Sequence, residues 1–221
     1  MKNKKMHKEG WSTIIVAMAV VLISVLVLFL NETPDWLKWL VIVPEVFISG
    51  IVINFFRYPH RTFHGDELHD VIAPSDGTIV TIEEVYEPDY FEDKRIQISI
   101  FMSVTNVHAQ WCPLNGQVLK VQHEDGRFKK AYLPKSSNEN ERSTIVIKSD
   151  AGPVILMRQV AGAVARRIVT YISSGDRSEI NGELGFIKFG SRIDLYLPLD
   201  SEILVKMGER VKGNVTSIAK I

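Results

Sequence analysis

The sequence predicts a mainly β protein: an antiparallel barrel or sandwich-like domain preceded by an N-terminal transmembrane helical segment. Three observations carry this prediction. An uncharged apolar run of twenty residues lies near the N-terminus. Short segments that alternate apolar and polar residues recur after residue 57. Turn-forming dipeptides separate these segments at intervals of about 8–12 residues, the spacing typical of all-β domains.

The first element is the apolar run at residues 11–30. It contains no charged residue, and four lysines precede it within residues 1–10. A helix of this length, at about 1.5 Å per residue, crosses the ~30 Å hydrocarbon core of a bilayer. A cleaved signal peptide is the alternative, but its apolar region usually has about 7–15 residues and ends at a small-residue cleavage site, which is missing here. We therefore expect a membrane helix.

A second apolar stretch, residues 37–56, is less uniform because it includes Glu45. Its thirteen Leu, Ile, Val and Phe residues favour insertion by about 4–8 kcal/mol, whereas one central charge costs about 3 kcal/mol. A second span and a helix lying at the interface both remain open. If it spans, the early lysines and Arg57, His60 and Arg61 place both ends of the hairpin in the cytoplasm. We expect residues 1–56 to be the anchor and residues 57–221 the catalytic domain.

The catalytic domain begins with a run of predicted strands. Residues 95–104 place Ile96, Ile98, Ile100 and Met102 on one face, which is the period of a half-buried strand. No long amphipathic helix is evident after residue 60. Turn signals such as Asp-Gly and Asn-Gly bound the other candidate strands. These candidates are residues 78–85, 117–122, 143–149, 154–160, 166–173 and 192–197.

Composition excludes several classes of function. Lys and Arg (26) balance Asp and Glu (26), so the chain has no net positive field to attract nucleic acid. The single cysteine, Cys112, excludes an internal disulfide and a cysteine-based zinc site. The run "HRTFHGDELHD" at residues 60–70 has three histidines, but its position favours a polar collar beside the membrane, and we expect no metal.

Three candidate reactive residues come from three separate turns or strand ends. They are Asp76 in "APSDGTIV", His108 in "NVHAQWCPLNG" and Ser191, which follows Gly190 in "FIKFGSRIDLYLP". Each has an ordinary structural explanation by itself: a turn aspartate, a packed histidine, and a glycine bulge within a strand. Together they have the composition of an acid, base and nucleophile set. No phosphate loop and no G-x-S-x-G motif compete with them.

These segments resemble one family, the phosphatidylserine decarboxylases, in their short, membrane-anchored, archaeal-type form. The resemblance covers most of residues 55–221 and includes "FFRYPHR", "NERS", "VAGAVARRIV" and "GELGFIKFGSRIDLYLP" besides the motifs above. Its most specific part is the Gly-Ser pair about thirty residues before the C-terminus. Here 31 residues begin at Ser191.

The resemblance implies that the chain cleaves itself between Gly190 and Ser191. The Ser191 hydroxyl would attack the Gly190 carbonyl, and elimination with loss of ammonia would leave a covalent pyruvoyl cofactor on the new N-terminus. The pyruvoyl group would form a Schiff base with membrane phosphatidylserine and release CO₂ and phosphatidylethanolamine. The chains 1–190 and 191–221 would remain associated, and a homo-oligomer is left open.

The resemblance also implies roles for His108 and Asp76. His108 matches a family histidine and is expected to transfer protons during decarboxylation, while Asp76 matches an aspartate of the cleavage machinery. Longer bacterial members have a second histidine where this chain has Trp111, so the base for self-cleavage is open between His108 and Asp76. Arg192 also departs from the family's usual flank, and we expect it to be an exposed strand arginine.

One alternative belongs to a different class of function. "APSDGTIV" and "VKMGERVKGNV" are similar to turns of biotinyl or lipoyl carrier domains, which are small β-barrels. A carrier, or a membrane-tethered binding module, would not cleave itself. It would also need a modifiable lysine at an exposed hairpin, and no convincing acceptor is present. A decarboxylase acting on another seryl lipid is a further alternative that the sequence leaves open.

Overall fold

A computed structural model describes residues 6–126, 141–162, 167–188 and 191–221. The chain divides into two compact units, Met1–His60 and Arg61–Ile221. Gly190, one half of the predicted cleavage site, lies outside the described residues, and so does the first residue of the predicted strand 166–173.

The first unit is a pair of helices, α1 (Trp11–Leu30) and α2 (Asp35–Phe55), after a 3₁₀ turn at Lys8–Gly10. Both are long and apolar enough to cross a membrane, with mean hydropathies of 3.1 and 1.8. The helix α2 continues through Pro44. The Ser24 hydroxyl donates a 2.8 Å hydrogen bond to the Glu45 carboxylate, so the one acidic group in the middle of α2 has a polar partner on α1.

In its described residues, the second unit has fourteen strands, most of them short. They are β1 (Asp70–Ile72), β2 (Gly77–Glu87), β3 (Asp93–Met102), β4 (Ala109–Trp111), β5 (Gly116–Glu124), β6 (Arg142–Ser149), β7 (Val154–Ala161), β8 (Arg167–Thr170), β9 (Arg177–Ser178), β10 (Glu183–Lys188), β11 (Ser191–Leu197), β12 (Glu202–Ile203), β13 (Arg210–Val211) and β14 (Ser217–Lys220).

An eight-stranded antiparallel sheet in the order β13-β2-β3-β11-β7-β6-β5-β9 dominates this unit and curls into a half-barrel. Two three-stranded sheets, β1-β14-β12 and β4-β10-β8, accompany it. The mainly β fold class is confirmed. Alternate residues of the long strands face the core, as at Ile98, Ile100 and their partners Leu195 and Ile193 on β11.

A buried ion pair lies on the face of the large sheet that points away from the main core. Arg158 on β7 is 2% exposed, and its guanidinium donates to Glu87 at 3.0 Å and to Asp89 at 2.8 Å. Burial by itself raises the pKa of Glu87, but the backbone N–H groups of Phe91, Tyr90 and Asp89 and the Arg158 charge outweigh it. The pKa of Glu87 therefore falls below its ordinary value.

Replacing Arg158 by alanine is expected to lower the free energy of unfolding by about 3–5 kcal/mol, because it leaves the fully buried Glu87 carboxylate without its cation. Urea denaturation of the full chain in detergent measures this change. The matched control is Arg177→Ala, which breaks an exposed pair with Asp150 and should alter the unfolding midpoint little. Equal midpoints for the two variants would contradict the prediction.

Candidate active site

Ser191 is the first residue of β11, a central strand of the large sheet. Its side chain is fully buried, and its Oγ donates a hydrogen bond to the Met102 sulfur at 3.2 Å. A thioether is a weak acceptor, so this contact positions the hydroxyl without holding its proton strongly. The position therefore suits a serine whose oxygen must leave its resting contact and react.

Both edges of β11 are paired. It bonds to β3 over Ser191–Leu197 and to β7 over Ser191–Tyr196. Farther along the chain, β13 pairs with β2, and β14 pairs with β1. Residues 191–221 are thus interwoven with the rest of the second unit by main-chain hydrogen bonds that do not involve the bond between residues 190 and 191.

Asp76 lies in the turn between β1 and β2 and is buried in a bidentate ion pair with Arg61. Arg61 Nη2 donates to Asp76 Oδ2 at 2.9 Å, and Nη1 donates to Oδ1. The same aspartate accepts the Gly213 N–H at 2.9 Å, while Arg61 donates to the Gly213 carbonyl at 2.9 Å. Asp76 and Arg61 therefore bind the N–H and the carbonyl group, respectively, of one residue in the C-terminal segment.

His108 follows the turn that joins β3 to β4, and it is fully buried. Its Nδ1 lies 3.1 Å from the carbonyl oxygen of Asn106. A carbonyl can only accept, so Nδ1 carries the hydrogen in this contact. The ring centroid lies 6.5 Å from that of Phe186 on β10, the strand that leads to the predicted cleavage site.

A cavity of about 450 Å³ contains one of the three candidate residues in its wall. Asp76 lines it directly. Phe101 and Ser103 also line it, and they flank Met102, the residue that touches Ser191. Asn106 lines it as well and accepts the hydrogen bond from His108. Asp76 thus lies at the cavity and His108 is one hydrogen bond away, whereas Ser191 and Met102 face the core side of the same strands.

The strand order gives the separation between Asp76 and Ser191. Thr78 on β2 and Arg192 on β11 both pair with Phe101 on the intervening β3. Two strand spacings of ~4.8 Å place the neighbouring Gly77 and Ser191 about 10 Å apart at the backbone. Within the described residues, no hydrogen bond joins Asp76 to Ser191, so the two are near each other in the sheet without direct contact.

Trp111 lies beside the Asp76–Arg61 pair. Its indole is buried, and the Arg61 guanidinium lies 5.4 Å from its ring centroid. An apolar ring thus occupies the position for which longer relatives were expected to use a second histidine. Trp111 cannot accept a proton, but it shields the ion pair from water.

The expectation for Arg192 was wrong. Its side chain is 4% exposed and forms an ion pair with Asp194, with a 2.9 Å contact from Nε to Oδ1. Asp194 is fully buried and also accepts the Ser99 hydroxyl at 2.6 Å. Alternation along β11 does turn Arg192 away from the core, but this outer face is covered rather than open to solvent.

Other candidate groups are less reactive. Burial raises the pKa of the Cys112 thiol, which keeps it in its unreactive protonated form. Across the described ranges, no group of three or more His, Cys, Asp or Glu side chains is arranged to hold a metal ion. In the histidine-rich segment at residues 60–70, the His69 side chain contacts the Asp66 carboxylate, and both side chains are exposed.

Arg61 is the site residue that the sequence motifs did not single out. It stands in "FFRYPHR", where it was interpreted only as a positive charge following the second apolar stretch. Its partners, Asp76 and Gly213, are 15 and 152 residues away along the chain. The one sequence signal for Arg61 was that "FFRYPHR" is among the segments that resemble the phosphatidylserine decarboxylases.

Comparison with known proteins agrees with the geometry. The sequence profile described as phosphatidylserine decarboxylase matches residues 48–219. Three bacterial relatives carry the name phosphatidylserine decarboxylase proenzyme. That of Phocaeicola vulgatus is 48% identical over 222 residues, covering 100% of this chain and 97% of the relative. That of Porphyromonas gingivalis is 49% identical over 220 residues, covering 98% and 99%. That of Cytophaga hutchinsonii is 43% identical over 215 residues, covering 97% of each. The chain belongs to the phosphatidylserine decarboxylase family.

Proposed function

We propose that this protein converts phosphatidylserine to phosphatidylethanolamine and CO₂, using a pyruvoyl group made from its own Ser191. The observation that carries the proposal is the placement of Ser191. It is a buried serine at the start of a doubly paired strand, two strands away from the turn that holds Asp76. The family and the word proenzyme in the relatives' names support the same chemistry.

Self-cleavage would begin with attack of Ser191 Oγ on the Gly190 carbonyl carbon. The C–N bond between the two residues breaks, an ester forms, and the serine nitrogen becomes a free amine. Loss of the Ser191 α-proton then expels the Gly190 carboxylate from the β-carbon and leaves an enamine. One water enters as the tautomeric imine is hydrolysed, one ammonia leaves, and residue 191 becomes the pyruvoyl group.

His108 is our choice for the base that takes the serine proton. Both Asp76 oxygens are occupied by Arg61, and one of them also by the Gly213 N–H, so its role is to hold the turn and the C-terminal segment. His108 donates from Nδ1 to Asn106, so Nε2 is the ring nitrogen that can accept a proton. These contacts favour His108 over Asp76, the two candidates that the sequence left open.

The same residues would serve the lipid reaction. The pyruvoyl carbonyl supplies an electrophile for the substrate amine and accepts the electron pair released when CO₂ leaves. His108 then returns a proton to the substrate α-carbon. The buried surroundings of Ser191 and His108 keep bulk water away from the reacting atoms.

The two units would have separate functions. We assign residues 1–56 to membrane anchoring and residues 57–221 to the decarboxylase domain, with the domain on the cytoplasmic side because the flanking charges are basic. The ladders of β11, β13 and β14 would keep chains 1–190 and 191–221 together after cleavage. Protease added to intact cells should leave the decarboxylase domain undigested. Digestion of the domain would contradict this topology.

Purified full-length protein in detergent should release CO₂ from phosphatidylserine and form phosphatidylethanolamine with no added pyridoxal phosphate. Prior treatment with hydroxylamine, which blocks ketones, should abolish this activity. Phosphatidylcholine, which has no carboxylate, is the control substrate. A correctly folded protein that releases no CO₂ would contradict the proposal. A carrier domain would behave that way, and no specific observation favours that alternative.

A further inference from the structure

We infer that Arg210 and Lys212 form the binding site for the phosphodiester of the lipid headgroup. The inference rests on the proposed function. Both residues line the cavity that Asp76 also lines. Arg210 begins β13, where it pairs with Thr78 on β2, and Lys212 directly follows that strand. Arg210 and Lys212 lie on the part of the cavity wall that the C-terminal segment of the chain forms.

The charges around the cavity favour an anion. Arg210 and Lys212 are exposed, and within the described residues neither forms an ion pair. The carboxylate on the cavity wall, Asp76, is held by two hydrogen bonds from Arg61. Glu209, the neighbour of Arg210, accepts a hydrogen bond from the Lys206 N–H. Two cations that form no ion pair within the described residues therefore line the cavity.

Asn106 adds a neutral donor to the opposite wall. Its Oδ1 accepts the Ser103 backbone N–H at 2.9 Å and the Ser103 hydroxyl at 2.7 Å. A backbone N–H can only donate, so this contact identifies the oxygen and leaves Nδ2 as a donor. In the described part of the chain, Nδ2 makes no hydrogen bond, and the residue lines the cavity. It is suited to a phosphate oxygen.

The position of Lys212 is fixed by its neighbour Gly213. Asp76 accepts the Gly213 N–H, and Arg61 donates to its carbonyl. A side chain at Gly213 would lie 2.8 Å from the Ser75 Cα and equally close to the Trp111 ring, so the backbone packs tightly here. The Asp76–Arg61 pair thus holds the phosphate-binding segment against the cavity, which gives Asp76 a positioning role in substrate binding.

The sheet places these cations in register with Arg192, the residue that follows Ser191. Arg210, Thr78, Phe101 and Arg192 form one row across four adjacent strands. Three strand spacings of ~4.8 Å separate the backbones of Arg210 and Arg192 by about 14 Å, a span that a headgroup and a long arginine side chain together can bridge. Because Ser191, Arg210 and Lys212 all follow the cleavage point, the short chain would supply both the electrophile and the phosphate ligands.

The test compares Arg210→Ala/Lys212→Ala with Lys94→Ala/Lys206→Ala, which removes two exposed cations elsewhere. The substrate is dihexanoyl phosphatidylserine below its micellar concentration, so attraction to a charged surface plays no part. We expect the cavity variant to raise KM about 10–100-fold, the loss expected for charged hydrogen bonds, and to lower kcat less than about threefold. The control pair should match the wild type.

Several outcomes separate this inference from the proposed function. An active wild type with the same KM in all three proteins would overturn the phosphate site and leave the decarboxylase intact. A rise in KM only on vesicles containing phosphatidylglycerol would also overturn it, because the cations would then serve membrane attraction. A wild type that neither cleaves nor releases CO₂ would instead refute the proposed function. Before its KM is measured, a denaturing gel shows that the cavity variant is cleaved and a thermal unfolding transition shows that it is folded.

Discussion

Ser191→Ala is expected to give a single, uncleaved chain of 221 residues with no decarboxylase activity. Alanine has no oxygen to attack the Gly190 carbonyl, so neither the ester nor the pyruvoyl group can form. The fold should survive, because the lost contact is one hydrogen bond to a thioether, worth at most about 1 kcal/mol. Denaturing gels, intact mass and CO₂ release together measure the effect.

The matched control for this variant is Ser201→Ala, in the same C-terminal segment. Its hydroxyl makes no hydrogen bond in the described part of the chain, so it should cleave and react like the wild type. Cleavage of Ser191→Ala at the same bond, or activity from its intact chain, would contradict the role of Ser191. An unfolded variant would be recognised by loss of its thermal unfolding transition.

His108→Ala should slow self-cleavage by about 10²–10⁴-fold and abolish CO₂ release from any chain that does cleave. The first effect follows from the loss of a positioned base, whose contribution is usually of this size. The second follows because the same ring returns the proton to the product carbon. A time course of cleavage after synthesis in vitro measures the first effect, and CO₂ release from the cleaved fraction measures the second.

The control is His69→Ala, which removes an exposed histidine paired with Asp66 and should change neither rate. Cleavage of His108→Ala at the wild-type rate, with CO₂ release lost, would confine His108 to decarboxylation and return the cleavage role to Asp76. Full activity in both steps would remove His108 from the mechanism.

The long strands could be predicted from sequence because each is several side-chain periods long and ends at a turn. The prediction for residues 78–85 corresponds to β2, for 95–104 to β3 and for 192–197 to β11. The short strands β1, β4 and β13 were not predicted, since two or three residues show no period. Their pairing depends on partners far along the chain.

The candidate site was predictable in its residue types but not in its contacts. Asp76, His108 and Ser191 stand in distinctive motifs at turns or strand ends. The partnership of Arg61 with Asp76 and Gly213 has no local pattern, because these residues meet only after the sheet closes. Arg192 shows the limit of alternation: the pattern predicts which face a side chain is on, but not whether another layer covers that face.

The intact mass of the purified wild-type protein tests the central claim most directly. The account predicts two chains that separate only under denaturing conditions, residues 1–190 and residues 191–221, with the shorter chain beginning in a ketone and lacking an N-terminal amine. A single chain of 221 residues, or a shorter chain that begins with an unmodified serine, would contradict it.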